Sequence, residues 1–240
     1  MKKNMNDSKF ARKSFVAEHI ASLPKSGIRK FFDVAATMPG AISLGVGEPD
    51  FVTPYHIRNA AINSLLDGET QYTGNRGMPE LLEEISWYLE NRYQTKYDPA
   101  TEIMVTVGAS ESIDIALRAI VAPGDEVLVP EPSYVSYAPG EVFAGGKAVP
   151  VHTDASNGFA LTPEAVLEAV TDKTKAIILP YPNNPTGGIM EKEDLEAIAE
   201  VIREKKIMVL NDEIYAELTY GGKQHVSFAS LPGMWDYTIT

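Results

Sequence analysis

The stretch Ile207-Met208-Val209-Leu210-Asn211-Asp212-Glu213-Ile214-Tyr215 decides how this chain folds. Four apolar residues follow the charged run Arg203-Glu204-Lys205-Lys206, the pattern of a strand buried on both faces of a parallel sheet. Asp212 stands where that strand surfaces, and Tyr215 follows three residues later. In open α/β sheets ligands sit beyond the carboxyl ends of the strands. A carboxylate there either caps the following turn or helix, or meets a cation, because desolvating it unpaired is costly.

Upstream of this stretch the chain alternates strands and helices. Ile103 to Val107 is expected as a strand, then Gly108-Ala109-Ser110-Glu111-Ser112 as a turn and Ile113 to Val121 as a helix. Val127-Leu128-Val129 is the next strand and opens into Pro130-Glu131-Pro132-Ser133-Tyr134. A helix through Val142 and a strand from Ala148 to Val151 follow. Thr162-Pro163 then pairs an N-cap with a proline at the first helical position, starting a helix to Val170. Ala176-Ile177-Ile178-Leu179 is another strand, ending in Pro182-Asn183-Asn184-Pro185-Thr186-Gly187-Gly188. An amphipathic helix with Leu195, Ile198, Ala199 and Ile202 on one face leads back to Ile207. This order predicts an α/β fold with a mostly parallel sheet and helices on both faces.

Before residue 102 the signal is helical. Two short helices over 15–38 are separated by Pro24-Lys25-Ser26-Gly27, and an extended segment from Ile42 ends in Gly45-Val46-Gly47-Glu48-Pro49-Asp50-Phe51. Gly47 reads either as a tight turn or as a point of close backbone approach to a ligand. A helix from Pro54 to Leu66 carries Ile57, Ala60, Ala61 and Leu65 on one face and stops at Gly68. Tyr72-Thr73-Gly74 sits in a polar loop. Pro79 opens a long helix whose apolar stripe is Leu82, Ile85 and Leu89.

Composition narrows the function. A formal net charge of −12 over 240 residues argues against nucleic acid or an anionic membrane as the main partner. With no cysteine, disulfides, thiolate metal sites and thiol nucleophiles are out. His19, His56, His152 and His225 show no ligand spacing, so no metal site is expected. Met1 to Ser14 does not read as a signal peptide and no later segment reads as a membrane span, so a cytoplasmic protein is expected.

The chemistry collects at the strand ends. The amides of Gly108, Ala109 and Ser110 at a helix start make an anion site, with the Ser110 hydroxyl as an extra donor. Tyr134 offers a ring that either stacks on a flat ligand or packs at the core edge. Asn184, fixed before a proline, can present its amide to a ring hydroxyl or a carboxylate. With Asp212 and Tyr215, the set suits one flat, phosphorylated, cationic heteroaromatic ligand.

The ordered motifs Gly45-Val46-Gly47-Glu48-Pro49-Asp50-Phe51, Tyr72-Thr73-Gly74, Gly108-Ala109-Ser110-Glu111, Pro132-Ser133-Tyr134, Asn184-Pro185-Thr186-Gly187 and Asp212-Glu213-Ile214-Tyr215 resemble the class I/II aminotransferases. These are pyridoxal-phosphate enzymes of fold type I, and the likeness spans about residues 15 to 240. The resemblance implies an N-terminal arm and the start of a small domain over 1–50, and a cofactor-binding large domain over 51–240. It implies that Gly108, Ala109 and Ser110 bind the phosphate and that Tyr134 stacks on the ring. Asn184 and Tyr215 would bond the ring's 3′ oxygen, and Asp212 would pair with the pyridine nitrogen. Tyr72 would reach the neighbouring subunit's phosphate in a homodimer, and Gly47, with Asn184, would lie at the substrate carboxylate. The implied reaction moves an amino group between an L-amino acid and a 2-oxo acid.

The resemblance also places the family's Schiff-base lysine, its carboxylate-binding arginine and its C-terminal small domain just beyond Thr240. Lys223 is the one lysine between Asp212 and that point, too near Asp212 to match, and reads as a surface side chain. The sequence alone therefore leaves two other readings open. One is a non-catalytic fragment that binds the cofactor or a partner, and the other is a related enzyme such as a carbon–sulfur lyase.

Overall fold

The computed structural model describes residues 15–24, residues 51–240 and the single positions 34, 37, 38, 40 and 42. The segment carrying Gly47, and most of the second helix read over 28–38, lie outside the described residues.

Five strands form one parallel sheet: β1 (Glu126–Glu131), β2 (Lys147–His152), β3 (Thr174–Leu179), β4 (Met208–Asn211) and β5 (Thr238–Ile239), in the order β2-β1-β3-β4-β5. Among the described residues the α-helices are α1 (Glu18–Ala21), α2 (Tyr55–Leu66), α3 (Pro79–Tyr93), α4 (Gly108–Ile120), α5 (Tyr137–Ala144), α6 (Pro163–Ala169) and α7 (Lys192–Lys205). Thr162 caps α6 as read, its hydroxyl accepting the Ala165 amide at 3.3 Å.

Strand side chains alternate between two cores, as the period of a strand requires. Leu128, Ile177, Leu179 and Val209 meet Val166 of α6, then Leu195, Ile198 and Ile202 of α7, with Phe228 and Met234 closing that side. Val127, Val129, Ala176, Ile178 and Leu210 meet Leu117 of α4 and Tyr137 of α5 on the other face. Both faces are covered, which is why the strands read as continuous apolar runs.

Two expectations are corrected. The segment Gly108 to Ser112, read as a turn, is the first turn of α4 itself. Ile103 to Val107, read as a strand, joins no ladder. The Val105 amide donates to the Arg76 carbonyl at 2.8 Å instead. A cavity of about 480 Å³, lined by Ile103 and Met104 on one side and by Thr238 and Ile239 on the other, lies between the segment and the sheet edge. A strand signal in sequence reports backbone preference; pairing needs a neighbouring edge within hydrogen-bond reach.

Candidate functional site

On the α4 face of the sheet a cavity of about 450 Å³ opens at the carboxyl end of β4. Ala109, Ser112 and Ala116 of α4, Tyr93 of α3 and Leu210 and Asp212 are among its walls. That volume falls in the range of small-molecule sites.

Asp212 is fixed at both oxygens. Its Oδ2 accepts the Tyr137 hydroxyl at 2.8 Å and its Oδ1 accepts the Ile214 amide at 3.1 Å. Tyr137 is buried, and its hydroxyl is raised far above the ordinary phenol range, first by burial and then by the charge of Asp212. Tyr137 therefore stays a neutral donor. The sequence reading did not single it out, although Tyr134 and Tyr137 are spaced to share a helical face. Their rings meet edge to face, with centroids 5.6 Å apart.

Three carboxylates line this cavity, and their partners differ. Glu217 accepts both Nε and a terminal nitrogen of Arg92, at 2.8 and 2.7 Å, and the hydroxyls of Tyr88 and Tyr93. These hydrogen bonds, Arg92 first, pull its carboxyl down to about 2. Glu213 stands 3.0 Å from His225 and accepts the Asn211 side-chain amide and the Phe228 backbone amide. The bonds recorded to Asp212 come from neutral donors alone. Of the three, Glu217 is the one matched by an arginine, which leaves the charge of Asp212 for a cationic ligand.

The N-terminus of α4 reaches the same cavity through Ala109. Gly108 takes a φ of +74°, and nothing lies within 4 Å of the place where its Cβ would stand. The backbone there is open, and the first-turn amides of a helix have no intrahelical acceptor. Val107 N–H is taken by the Glu111 carboxylate, and Thr106 Oγ1 lies 2.6 Å from Ser112 Oγ, which ties the entry to the helix. Ser110 is exposed beside this opening.

The remaining sequence candidates are dispersed around the cavity. Tyr134 is partly exposed and reaches the site through Tyr137. Tyr215 is half-buried, outside the cavity lining, and close enough to act electrostatically on Tyr137. In the loop after β3, buried Asn183 does the local work, its Oδ1 accepting the amide and hydroxyl of Thr186 at 3.3 and 2.9 Å. Asn184, before a cis proline, is exposed and does not line the cavity. Tyr72 is fully exposed. Lys223 is a surface side chain paired with Glu191, and among the described residues no lysine lines the cavity. No group of three metal-binding side chains and no helix long and apolar enough to cross a membrane occurs among the described residues.

The family model described as aminotransferase class I and II matches residues 39–238. This chain belongs to the class I and II aminotransferase family. The Bacillus subtilis (strain 168) protein YugH is 53% identical over 226 residues, 94% of this chain and 58% of that protein. An aspartate aminotransferase of Pyrococcus abyssi is 47% identical over 215 residues, 90% of this chain and 55% of the relative. Among solved structures, the aspartate aminotransferase of Rhizobium meliloti superposes with a TM-score of 0.89 at 35% identity, covering 94% of this chain and 58% of its own. The chain thus spans somewhat over half the length of the aminotransferases it matches.

Proposed function

We propose that this aminotransferase-family chain holds pyridoxal phosphate in the cavity between α4 and the end of β4, for amino-group transfer between an L-amino acid and a 2-oxo acid. The observation that carries the reading is Asp212, a cavity carboxylate held by the neutral donors Tyr137 and Ile214 and facing the same space as the N-terminus of α4. The donor set fits the group. The Gly108 amide is taken by the Thr106 carbonyl at 2.9 Å, so the first-turn amides of Ala109 and Ser110 are the ones that suit a phosphate, and the Asp212 carboxylate suits a protonated ring nitrogen. When bound, pyridoxal phosphate supplies an electron-withdrawing ring that stabilises negative charge at the substrate α-carbon.

The chain's own residues have defined parts in this reading. Asp212 keeps the proton on the ring nitrogen, and Tyr137 orients Asp212 by donating to Oδ2. Tyr134 bounds the ring, Ser110 adds a donor to the phosphate, and Asn184 and Tyr215, on the loops after β3 and β4, serve the 3′ oxygen. Asn184 also serves the substrate carboxylate, the part that the family resemblance gives to Gly47 as well. An acidic chain without cysteine is in keeping with a cytoplasmic location. α2 buries none of its residues and Tyr72 is fully exposed, which supports a homodimer in which Tyr72 enters the partner's site.

Titration of the chain with pyridoxal phosphate, followed by absorbance and calorimetry, tests the reading. Asp212→Asn is expected to weaken binding by roughly 1.5–3 kcal/mol, the worth of a hydrogen bond to a charged group, and to shift the bound spectrum. Unchanged affinity and spectrum would remove Asp212 from the site. Because no lysine lines the cavity among the described residues, borohydride followed by mass spectrometry is expected to leave no stoichiometric adduct. Sedimentation tests the dimer, which a compact monomer at micromolar concentration would contradict.

A further inference from the structure

After Asp212 the chain leaves the sheet. The Asp212 amide donates to Leu179 O at 3.1 Å, and beyond it the turn closes on itself through Ala216 N to Glu213 O and Leu218 N to Tyr215 O. Those bonds shape the turn but do not tie it to the body of the molecule. Besides the Tyr137 bond to Asp212, two side chains do that. One is Glu217, held by Arg92, Tyr88 and Tyr93 of α3. The other is Glu213, whose side chain is 7% exposed and whose Oε1 accepts Asn211 Nδ2 and the Phe228 amide.

Behind Glu213 stands His225, its side chain 9% exposed, with Nε2 at 3.0 Å from Oε1. The Nε2–H direction is off that line, so the nitrogen is close to the carboxylate without an aligned acceptor. The distance is the part that matters: an imidazole is packed against a desolvated carboxylate. Tyr93 joins the two anchors. Its ring meets His225 edge-on, with centroids 5.6 Å apart at 81°, and its hydroxyl donates to Glu217 at 2.6 Å. Ile214 to Ala216 lie between the anchors, and Asp212 directly precedes the first of them.

A buried ionisable pair is a poor stability device, since apolar residues of similar volume often serve as well or better. Here the pair sits at the one place where the backbone leaves the sheet with Asp212 on it. We propose that His225, acting through Glu213, is a positioning residue for the turn that carries Asp212 and Tyr215. Its consequence for ligand binding rests on the pyridoxal-phosphate reading of the cavity; its effect on the turn does not.

The test uses the whole chain and two measurements. His225→Phe keeps a ring against Tyr93 and removes the nitrogens, and His225→Gln returns a polar nitrogen beside Glu213. Amide hydrogen exchange without ligand is expected to accelerate by about tenfold or more across residues 212–218 in His225→Phe, with β1 and β3 unchanged and most of the protection recovered in His225→Gln. Pyridoxal-phosphate affinity is expected to fall by about fivefold when His225→Phe is made in the parent and to stay level when it is made on Asp212→Asn. Unaltered exchange over 212–218, or acceleration by the same factor throughout the sheet, would overturn the proposal. So would a loss of affinity that is equal in both backgrounds. Should the Phe variant not fold, Glu213→Gln gives the same exchange reading. A parent that binds no pyridoxal phosphate overturns the cofactor assignment alone, because the exchange measurement still decides the role of His225.

Discussion

Two helices of this chain carry an apolar stripe and end differently. α7 buries Leu195, Ile198, Ala199, Val201 and Ile202 against the sheet. α2 buries nothing, and Ile57, Ile62, Leu65 and Leu66 all stand exposed. A stripe records that a helix has a face to cover; it does not record what covers it. For α7 the cover is β3 and β4 of the same sheet. For α2, none of the described residues supplies enough contact to bury a side chain.

The contrast is most sharply tested by truncating a side chain in each region. Ile198→Ala, in the fully enclosed core, is expected to cost about 2–5 kcal/mol, read from urea unfolding. A cost under about 1 kcal/mol there would show that the α7 face is not the packed core it resembles.

Glu141 of α5 is the exception inside the packed region. It is fully buried, and neither carboxylate oxygen has a partner among the described residues. Burial pushes its carboxyl up to about 9 from an ordinary 4.5. The folded value lies above the unfolded one, so folding takes up a proton as pH passes 4.5. Its contribution to stability is then lost progressively until pH reaches about 9. Glu141→Leu is expected to stabilise the chain by roughly 2 kcal/mol at pH 7 and to flatten the loss between pH 5 and 9. Thermal melts of both proteins across that interval check it. A parent with no pH dependence there would mean that Glu141 finds water or a partner in solution.

Between the two regions lies the contact from α3 to the turn after β4. Glu217 is held at about 2, below its ordinary 4.5, by hydrogen bonds from Arg92, Tyr93 and Tyr88. Its contribution is present above pH 4.5 and lost as pH falls toward 2. The exposure of the pair keeps the effect small. The ring signals of Tyr88 and Tyr93 are expected to shift on acidification over that interval in the parent and to lose the step in Glu217→Gln. A step near pH 4.5 would show the cluster to be open in solution.

The smallest expected effect is at Leu65→Ala, within about 0.5 kcal/mol for the isolated monomer. If the chain forms the proposed homodimer through α2, the same variant instead lowers the association constant while leaving monomer stability alone. Urea unfolding and sedimentation over a concentration series separate the two.

The sequence by itself determined what local pattern can carry. Apolar runs at 127–129, 176–179 and 207–210 and the stripe at Leu195, Ile198, Ala199 and Ile202 define buried strands and their covering helix. Thr162-Pro163 marks a helix start with a hydrogen bond to confirm it. The ordered motifs likewise identified the family before any contact was known. Tertiary structure alone decided which groups meet. Tyr137 on Asp212, His225 against Glu213, and Tyr88, Arg92 and Tyr93 on Glu217 join residues 75, 12 and more than 120 positions apart. Periodicity specifies the face on which a side chain stands, but not the distant side chain opposite it. The same limit explains Ile103 to Val107, whose apolar pattern is legible locally, whereas a ladder depends on an edge that the sheet does not bring within reach.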